Sequence, residues 1–194
     1  MNTRRERKKM QVKKSISENA LRLFLTKGFM NTTVAEIMEE ADLGTGTFYN
    51  YFDSKEDVLK YCLGEKINEV RHTVEEIQES SLEPSQKLSE ILLTAGKNFE
   101  ENSQLISMFM QFRRQASGTR RESPHGSIFR EILVDIVREG QGKGVFRKDI
   151  PVGIIIEMFM GLLQSTMNSN MEMPFMDNLK QKLYLFLEGL GVKQ

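Results

Sequence analysis

Apolar residues recur at intervals of three and four along most of the 194-residue chain, which is the period of a helix and not of a strand. Over about residues 4–27, Val12, Ile16, Ala20, Leu23 and Phe24 share one face, and Gly28 follows as a helix-ending residue. Thr33-Val34-Ala35-Glu36 reads as a capping box opening a short helix over 33–41, with Val34, Ile37, Met38 and Ala41 as its apolar stripe. Asp42-Leu43-Gly44 is a tight turn, and a third helix is expected over about 45–52 with Phe48 and Phe52 on its inner side. A long fourth helix runs from near Ser54 to about Glu79 on Leu59, Leu63, Ile67, Val70, Val74 and Ile77. Five more are expected at about 84–101, 103–116, 124–140, 152–170 and 174–189. Pro84, Pro124, Pro151 and Pro174 each precede such a stretch, where a missing N–H does no harm, and Ser123 is a suitable N-cap. No sustained alternation, Asn-Gly or Asp-Gly hairpin turn, or internal repeat interrupts this pattern. The chain therefore reads as all-α, with about nine helices.

Composition narrows the class. Apolar residues at 39% and charged residues at 28% fit a globular protein. The longest uncharged run, Met158 to Met171, is 14 residues long and carries Gln, Ser, Thr and Asn, too short and polar to span a bilayer. No apolar stretch follows the basic residues of the N-terminus, so no secretory signal is read, and a cytoplasmic location is expected. The single cysteine, Cys62, excludes an internal disulfide. His72 and His125 are too far apart for a short-spaced metal motif, and no nucleophile–base pair stands out. Neither a metal, a cofactor nor an enzymatic activity is expected.

The formal charge is zero but uneven. Residues 1–35 hold nine basic residues against Glu6 and Glu18, leaving +7 there and −7 over the other 159 residues. A basic end on an acidic protein points to an anionic partner for that end. Two short helices joined by a three-residue turn, after a longer first helix, have the spacing of a helix-turn-helix. The outer side of the third helix carries Thr45, Gly46, Thr47, Tyr49, Asn50 and Tyr51. Small residues let a backbone approach base edges, and tyrosine hydroxyls reach phosphates.

The stretch Gly28-Phe29-x-x-Thr32-Thr33-Val34-x-x-Ile37, then Ala41 to Phe52, then Ser54-Lys55-Glu56-x-Val58-Leu59, resembles the DNA-binding domain of the tetracycline-repressor (TetR) family over about residues 10–60. Gly144 to Ile150 is similar to that family's usual lead-in to its eighth helix. The resemblance implies that Thr33 and Lys55 contact phosphates, that Thr45, Gly46 and Thr47 sit at base edges, and that Tyr49 and Tyr51 hold the DNA backbone. The family often has Gly at Asp42, Ser at Gly44 and a long side chain at Thr45. The short Thr45 implies more reliance on DNA shape. A basic arm before the first helix is expected to add minor-groove or phosphate contacts.

The domain reading is a DNA-binding domain over 1–55 and a ligand-binding and dimerisation domain over 56–194. Phe99, Met108, Phe109, Phe112, Met158 and Phe159 are the candidate lining of a cavity for an apolar or amphipathic effector. Arg113, Arg114, Arg120 and Arg121 are a candidate cradle for an anionic head group, or a solvated loop. Helix eight (Ile155, Met158, Phe159, Leu162, Leu163) and helix nine (Leu179, Leu183, Phe186, Leu187, Leu190) carry the apolar surface that the resemblance assigns to a homodimer. The function expected is a ligand-responsive repressor released from a palindromic double-stranded DNA operator. The competing class is an all-α small-molecule-binding protein or enzyme, which leaves the Thr45–Tyr51 surface without a role.

Overall fold

The computed structural model describes residues 4–115 and 124–191; for 113–115 and 124–128 it describes the backbone only. Nine helices occur among the described residues: α1 (Arg4–Lys27), α2 (Val34–Glu40), α3 (Thr45–Phe48), α4 (Lys55–Glu79), α5 (Pro84–Glu101), α6 (Ser103–Gln115), α7 (Pro124–Gly142), α8 (Val152–Met167) and α9 (Phe175–Leu190). The only pairing of strand type among them is an isolated bridge between Phe146 and Gly191. Ser123 and the side chains of Arg113, Arg114, Arg120 and Arg121 lie outside the described residues.

Two compact units make up the chain. The first contains α1, α2, α3, α4 as far as Lys66, and α6; the second contains the rest of α4 with α5, α7, α8 and α9. This partition follows contact and not function. It keeps α6, which the reading over 56–194 set apart, beside the first three helices.

In the first unit, Ile16, Ala20 and Phe24 stand four apart on α1 and pack with Ile37, Met38, Phe48, Phe52, Val58, Leu59, Cys62 and Leu105. In the second, α5 lies against α7 and α9, and α8 against α7 and α9. Its core includes Leu88, Ile91, Leu133, Ile136, Ile156, Phe159, Leu179 and Leu183. Lys87 is buried there, donating to the Gln78 carbonyl at 2.9 Å and to Glu139 at 3.3 Å.

Several elements differ from the sequence reading. The third helix ends at Phe48, and residues 49–51 form a turn. The backbone tightens there through Asn50 N–H to Thr47 O (3.2 Å) and Tyr51 N–H to Phe48 O (2.9 Å), an i→i+3 pattern. Tyr49, Asn50 and Tyr51 are indifferent helix formers, so nothing local resists that tightening. The basic arm is not separate from the first helix: Arg4 to Gln11 are helical and exposed, as a run rich in Arg, Lys, Gln and Met favours. Ile155, Phe159, Leu179, Leu183, Phe186 and Leu190 are buried within the second unit itself, and therefore not at a dimer surface. The exposed large apolar residues of α8 and α9 are Ile154, Met158, Met160, Tyr184 and Leu185.

Gly140 ends in a close approach. A Cβ built there would lie 2.1 Å from the fully buried Phe146 ring, whereas one at Gly64, inside α4, meets nothing within 4 Å. Gly140→Ala is therefore expected to lower stability by about 1–3 kcal/mol through overpacking. Gly64→Ala is expected to raise it by roughly 0.5–1 kcal/mol through helix propensity. Urea unfolding of the two variants checks the opposite signs.

Candidate nucleic-acid interface

The surface is built on the α1–α2–α3 succession. Gly28, with φ +90°, turns the chain out of α1, and the Thr32 hydroxyl donates back to the Gly28 carbonyl at 2.9 Å. Thr33 then caps α2. Its hydroxyl accepts from the Glu36 N–H at 3.2 Å, while the Thr33 N–H donates to the Glu36 carboxylate at 2.8 Å. The capping box read from the sequence is thus formed. Its carboxylate also pairs with Lys27, and Arg22 pairs with Glu40. The outer side of α2 is thereby tied to α1.

Asp42 makes the turn. It is the one described non-glycine residue with positive φ, at +53°. The Asp42 N–H bonds to Glu39 O at 3.0 Å and the Leu43 N–H to Met38 O at 2.9 Å. This is the Schellman pair, in which a left-handed residue satisfies the last helical carbonyls. Glycine serves that position at least cost, and Asp is among the side chains that tolerate it. Gly44 next caps α3 by its backbone, with Thr47 N–H to Gly44 O at 2.8 Å.

From that platform Thr45 and Gly46 face solvent, with Thr47 half-buried beside them. Phe48 is fully buried, and its ring lies 5.4 Å from Tyr49 and 5.9 Å from Phe52. Tyr49 is 63% exposed, Asn50 is exposed, and Tyr51 lies half-buried against the first core. One small-residue surface thus brings Thr45, Gly46, Thr47, Tyr49 and Asn50 together. The hydroxyl of Thr33 is engaged with Glu36, and the ammonium of Lys55 is engaged with the carbonyls of Phe29, Met30 and Thr32. The engagement of Thr33 follows from the capping box read in the sequence, whereas no local spacing announces that of Lys55.

Tertiary contact also absorbs charge that the sequence reading counted toward the anionic partner. Lys13 lies over the rings of Tyr61 (4.2 Å) and Phe52 (5.2 Å), and Arg22 and Lys27 form the ion pairs named above. None of these partners is close in sequence, so no local spacing announces them. Arg4, Arg5, Arg7, Lys8 and Lys9 remain exposed.

The six candidate effector residues separate. Met108, Phe109 and Phe112 belong to the first unit, where Phe112 meets Phe29 at 6.4 Å and Met108 borders an open groove of about 340 Å³ with Phe24, Leu25, Ser103, Ser107 and Gln111. In the second unit Phe99 pairs with Phe175 at 5.1 Å, Phe159 is packed on Phe186 at 5.9 Å, and Met158 is 57% exposed. Burial pushes the Cys62 thiol up to about 11, an inert core group.

An exposed hydroxyl-bearing turn of helix, carried by a capped short helix and braced by a long one, defines a helix-turn-helix. Residues 16–62 match the family model described as bacterial regulatory proteins, tetR family. Over that stretch the chain is similar to the DNA-binding domain of that family. It is 24% identical over 139 residues, 70% of this chain and 68% of the other, to the HTH-type transcriptional repressor KstR2 of Mycolicibacterium smegmatis. It is 23% identical over 159 residues, 79% and 80% of the two chains, to the fatty acid metabolism regulator protein of Bacillus subtilis. A TetR/AcrR-family transcriptional regulator from Thermobifida fusca has the same fold, with a TM-score of 0.77 at 19% identity over 91% of this chain and 97% of that one.

Glu36 gives the site a pH dependence. Hydrogen bonds from Lys27 and then from the Thr33 N–H and hydroxyl hold its carboxyl at about 2, against an ordinary 4.5. A depressed carboxyl stabilises the fold when ionised, fully above about 4.5, and that contribution is lost as pH falls toward about 2. Melting temperatures measured across this range should fall more steeply for the native protein than for Glu36→Gln. Equal slopes would contradict the assignment.

Proposed function

We propose that this chain is a cytoplasmic repressor that binds a near-palindromic operator as a homodimer and leaves it when a small apolar or amphipathic molecule binds. The observation that carries the reading is the exposed Thr45-Gly46 surface, with Thr47 half-buried beside it, displayed over the buried Phe48. Such a surface has no use in a core and is shaped to approach base edges. Thr45 and Thr47 read bases, Tyr49 and Asn50 position the DNA backbone, and the exposed basic end of α1 adds phosphate contacts. The functional division is DNA binding over 1–55 and effector binding with dimerisation over 56–194.

Dimerisation is assigned to the outward side of α8 and α9. Ile154, Met158 and Gly161 recur at i, i+4 and i+7 on α8, and Tyr184 and Leu185 stand out from α9 at 61% and 70% exposure. Isologous pairing of these residues gives two-fold symmetry, so each half-site is read by one copy, about 34–36 Å apart or more. Sedimentation at micromolar concentration should show a dimer, and Met158→Glu with Leu185→Glu should shift it to monomer. A native protein that sediments as a monomer would overturn the assignment.

The effector is assigned to the second unit, with Phe99 among its lining residues, and its class follows the apolar composition there and the naming of the Bacillus subtilis relative for fatty acid metabolism. Helix α4 starts in the first unit and ends in the second, so a change in its course reaches both. A tenfold to hundredfold loss of operator affinity needs ~1.4–2.8 kcal/mol of coupling.

The experiment is selection of duplexes from a randomised pool, followed by binding titrations at several salt concentrations. Thr45→Ala and Thr47→Ala should change preference by ~1–3 kcal/mol at one or two base pairs. Tyr49→Phe should weaken all sequences alike. Equal losses on selected and random DNA for the Thr variants would assign them to backbone positioning and remove the base-reading role.

A further inference from the structure

The ammonium of Lys55 has three N–H donors, and three main-chain carbonyls converge on it: Phe29 at 2.9 Å, Thr32 at 3.1 Å and Met30 at 3.4 Å. It also lies 4.7 Å from the centre of the Phe29 ring. All four contacts belong to the segment that joins α1 to α2. Within the segment, Thr32 N–H reaches Phe29 O only at 3.4 Å; the Thr32 hydroxyl donates to Gly28 O at 2.9 Å, the Asn31 amide donates to Lys27 O at 3.2 Å, and the Phe29 ring packs on Phe24 at 5.0 Å. Thr33, the cap of α2, follows directly.

We propose that Lys55 is a positioning residue whose ammonium sits where a bound cation otherwise would, locking Phe29–Thr32 and setting the direction in which Thr33 and α2 leave the segment. Its donors are spent on the protein, so a phosphate oxygen reaches it only by displacing a carbonyl. The register of α2 and α3 against α1 therefore depends on a residue that stands 22 positions beyond Thr33. Charge alone does not satisfy the site. A guanidinium directs its N–H groups outward in a planar fork and cannot converge three of them on this cradle. The role in DNA binding rests on the reading of the Thr45–Asn50 surface given above; the lock on the segment does not.

The test uses the full chain with Lys55→Met, which keeps the stem over Phe29, and Lys55→Arg, which keeps the charge. Without DNA, amide exchange at Thr32, Thr33 and Glu36 should speed up by about tenfold or more in both variants, as loss of hydrogen bonds from a charged donor implies. On duplexes selected by the native protein, both variants should lose affinity by about tenfold, the worth of one hydrogen bond, with the native salt dependence retained. A phosphate contact predicts the reverse: Lys55→Arg binding like the native protein, and Lys55→Met with a log–log salt slope flatter by about 0.9. That pattern, or native exchange rates in Lys55→Met, would overturn the proposal. Should Lys55→Met not fold, Lys55→Arg is read alone: faster exchange supports the lock and native exchange overturns it. If the native protein selects no duplex, the DNA-binding reading falls, and exchange alone decides the lock by the same two outcomes.

Discussion

Burial of Phe48 and Phe52 is the constraint on which the rest of the first unit depends. Helix α3 is four residues long, far below the length at which a helix forms by itself, because nucleation is costly and only a few bonds follow. It exists because Phe48 is fully buried and Phe52 nearly so, among Ile16, Ala20, Phe24, Ile37 and Met38. Burying a phenylalanine contributes roughly 1.5–3 kcal/mol, and two of them bear on this single turn, which has no capping side chain. With the inner side pinned, Thr45, Gly46 and Tyr49 have no choice but to face outward. The left-handed turn at Asp42 is tolerated for the same reason, since the core on both sides of it decides the path.

Charge in this unit is divided between cohesion and display. Lys13, Arg22, Lys27 and Lys55 each find an aromatic ring, a carboxylate or a set of carbonyls inside the fold. The exposed pairs among these contribute modestly, as surface ion pairs do, but they orient α2 on α1. Arg4, Arg5, Arg7, Lys8 and Lys9 in the first turns of α1 stay exposed, as does Lys14, which pairs with Glu18 at 3.6 Å. The formal excess of seven near the N-terminus therefore overstates what an anionic partner meets.

The second unit is held differently. Lys87 is buried yet paired, reaching both the end of α4 through Gln78 and α7 through Glu139, which also bonds Lys143 at 2.8 Å. The chain after α7 folds back so that Phe146 lies on Gly140 and Arg147 N–H meets Leu190 O at 3.0 Å, tying the α7–α8 turn to the end of α9. These contacts commit one side of α8 and α9 inward and leave Ile154, Met158, Tyr184 and Leu185 outside.

Local signals determined the helices and their ends: the periodic stripe Ile16–Ala20–Phe24, the Thr33–Glu36 box, Gly28 at a left-handed turn, and the prolines that open α5 and α7 or precede α8 and α9. Each acts over a few residues, and the tetR-type pattern over 16–62 was legible because it is itself a run of such signals. Tertiary structure decided what no short spacing encodes. It shortened α3, because pinning Phe48 and Phe52 left the intervening turn free to tighten. It turned Phe159 and Phe186 toward each other, because a helix with apolar residues on most sides can bury only those its neighbours cover. It placed α6 with the first unit, and gave Lys55 to the carbonyls of a segment more than 20 residues earlier in the chain. The partner of a long, charged side chain is set by which backbone the fold brings within its reach, and sequence distance says nothing about that.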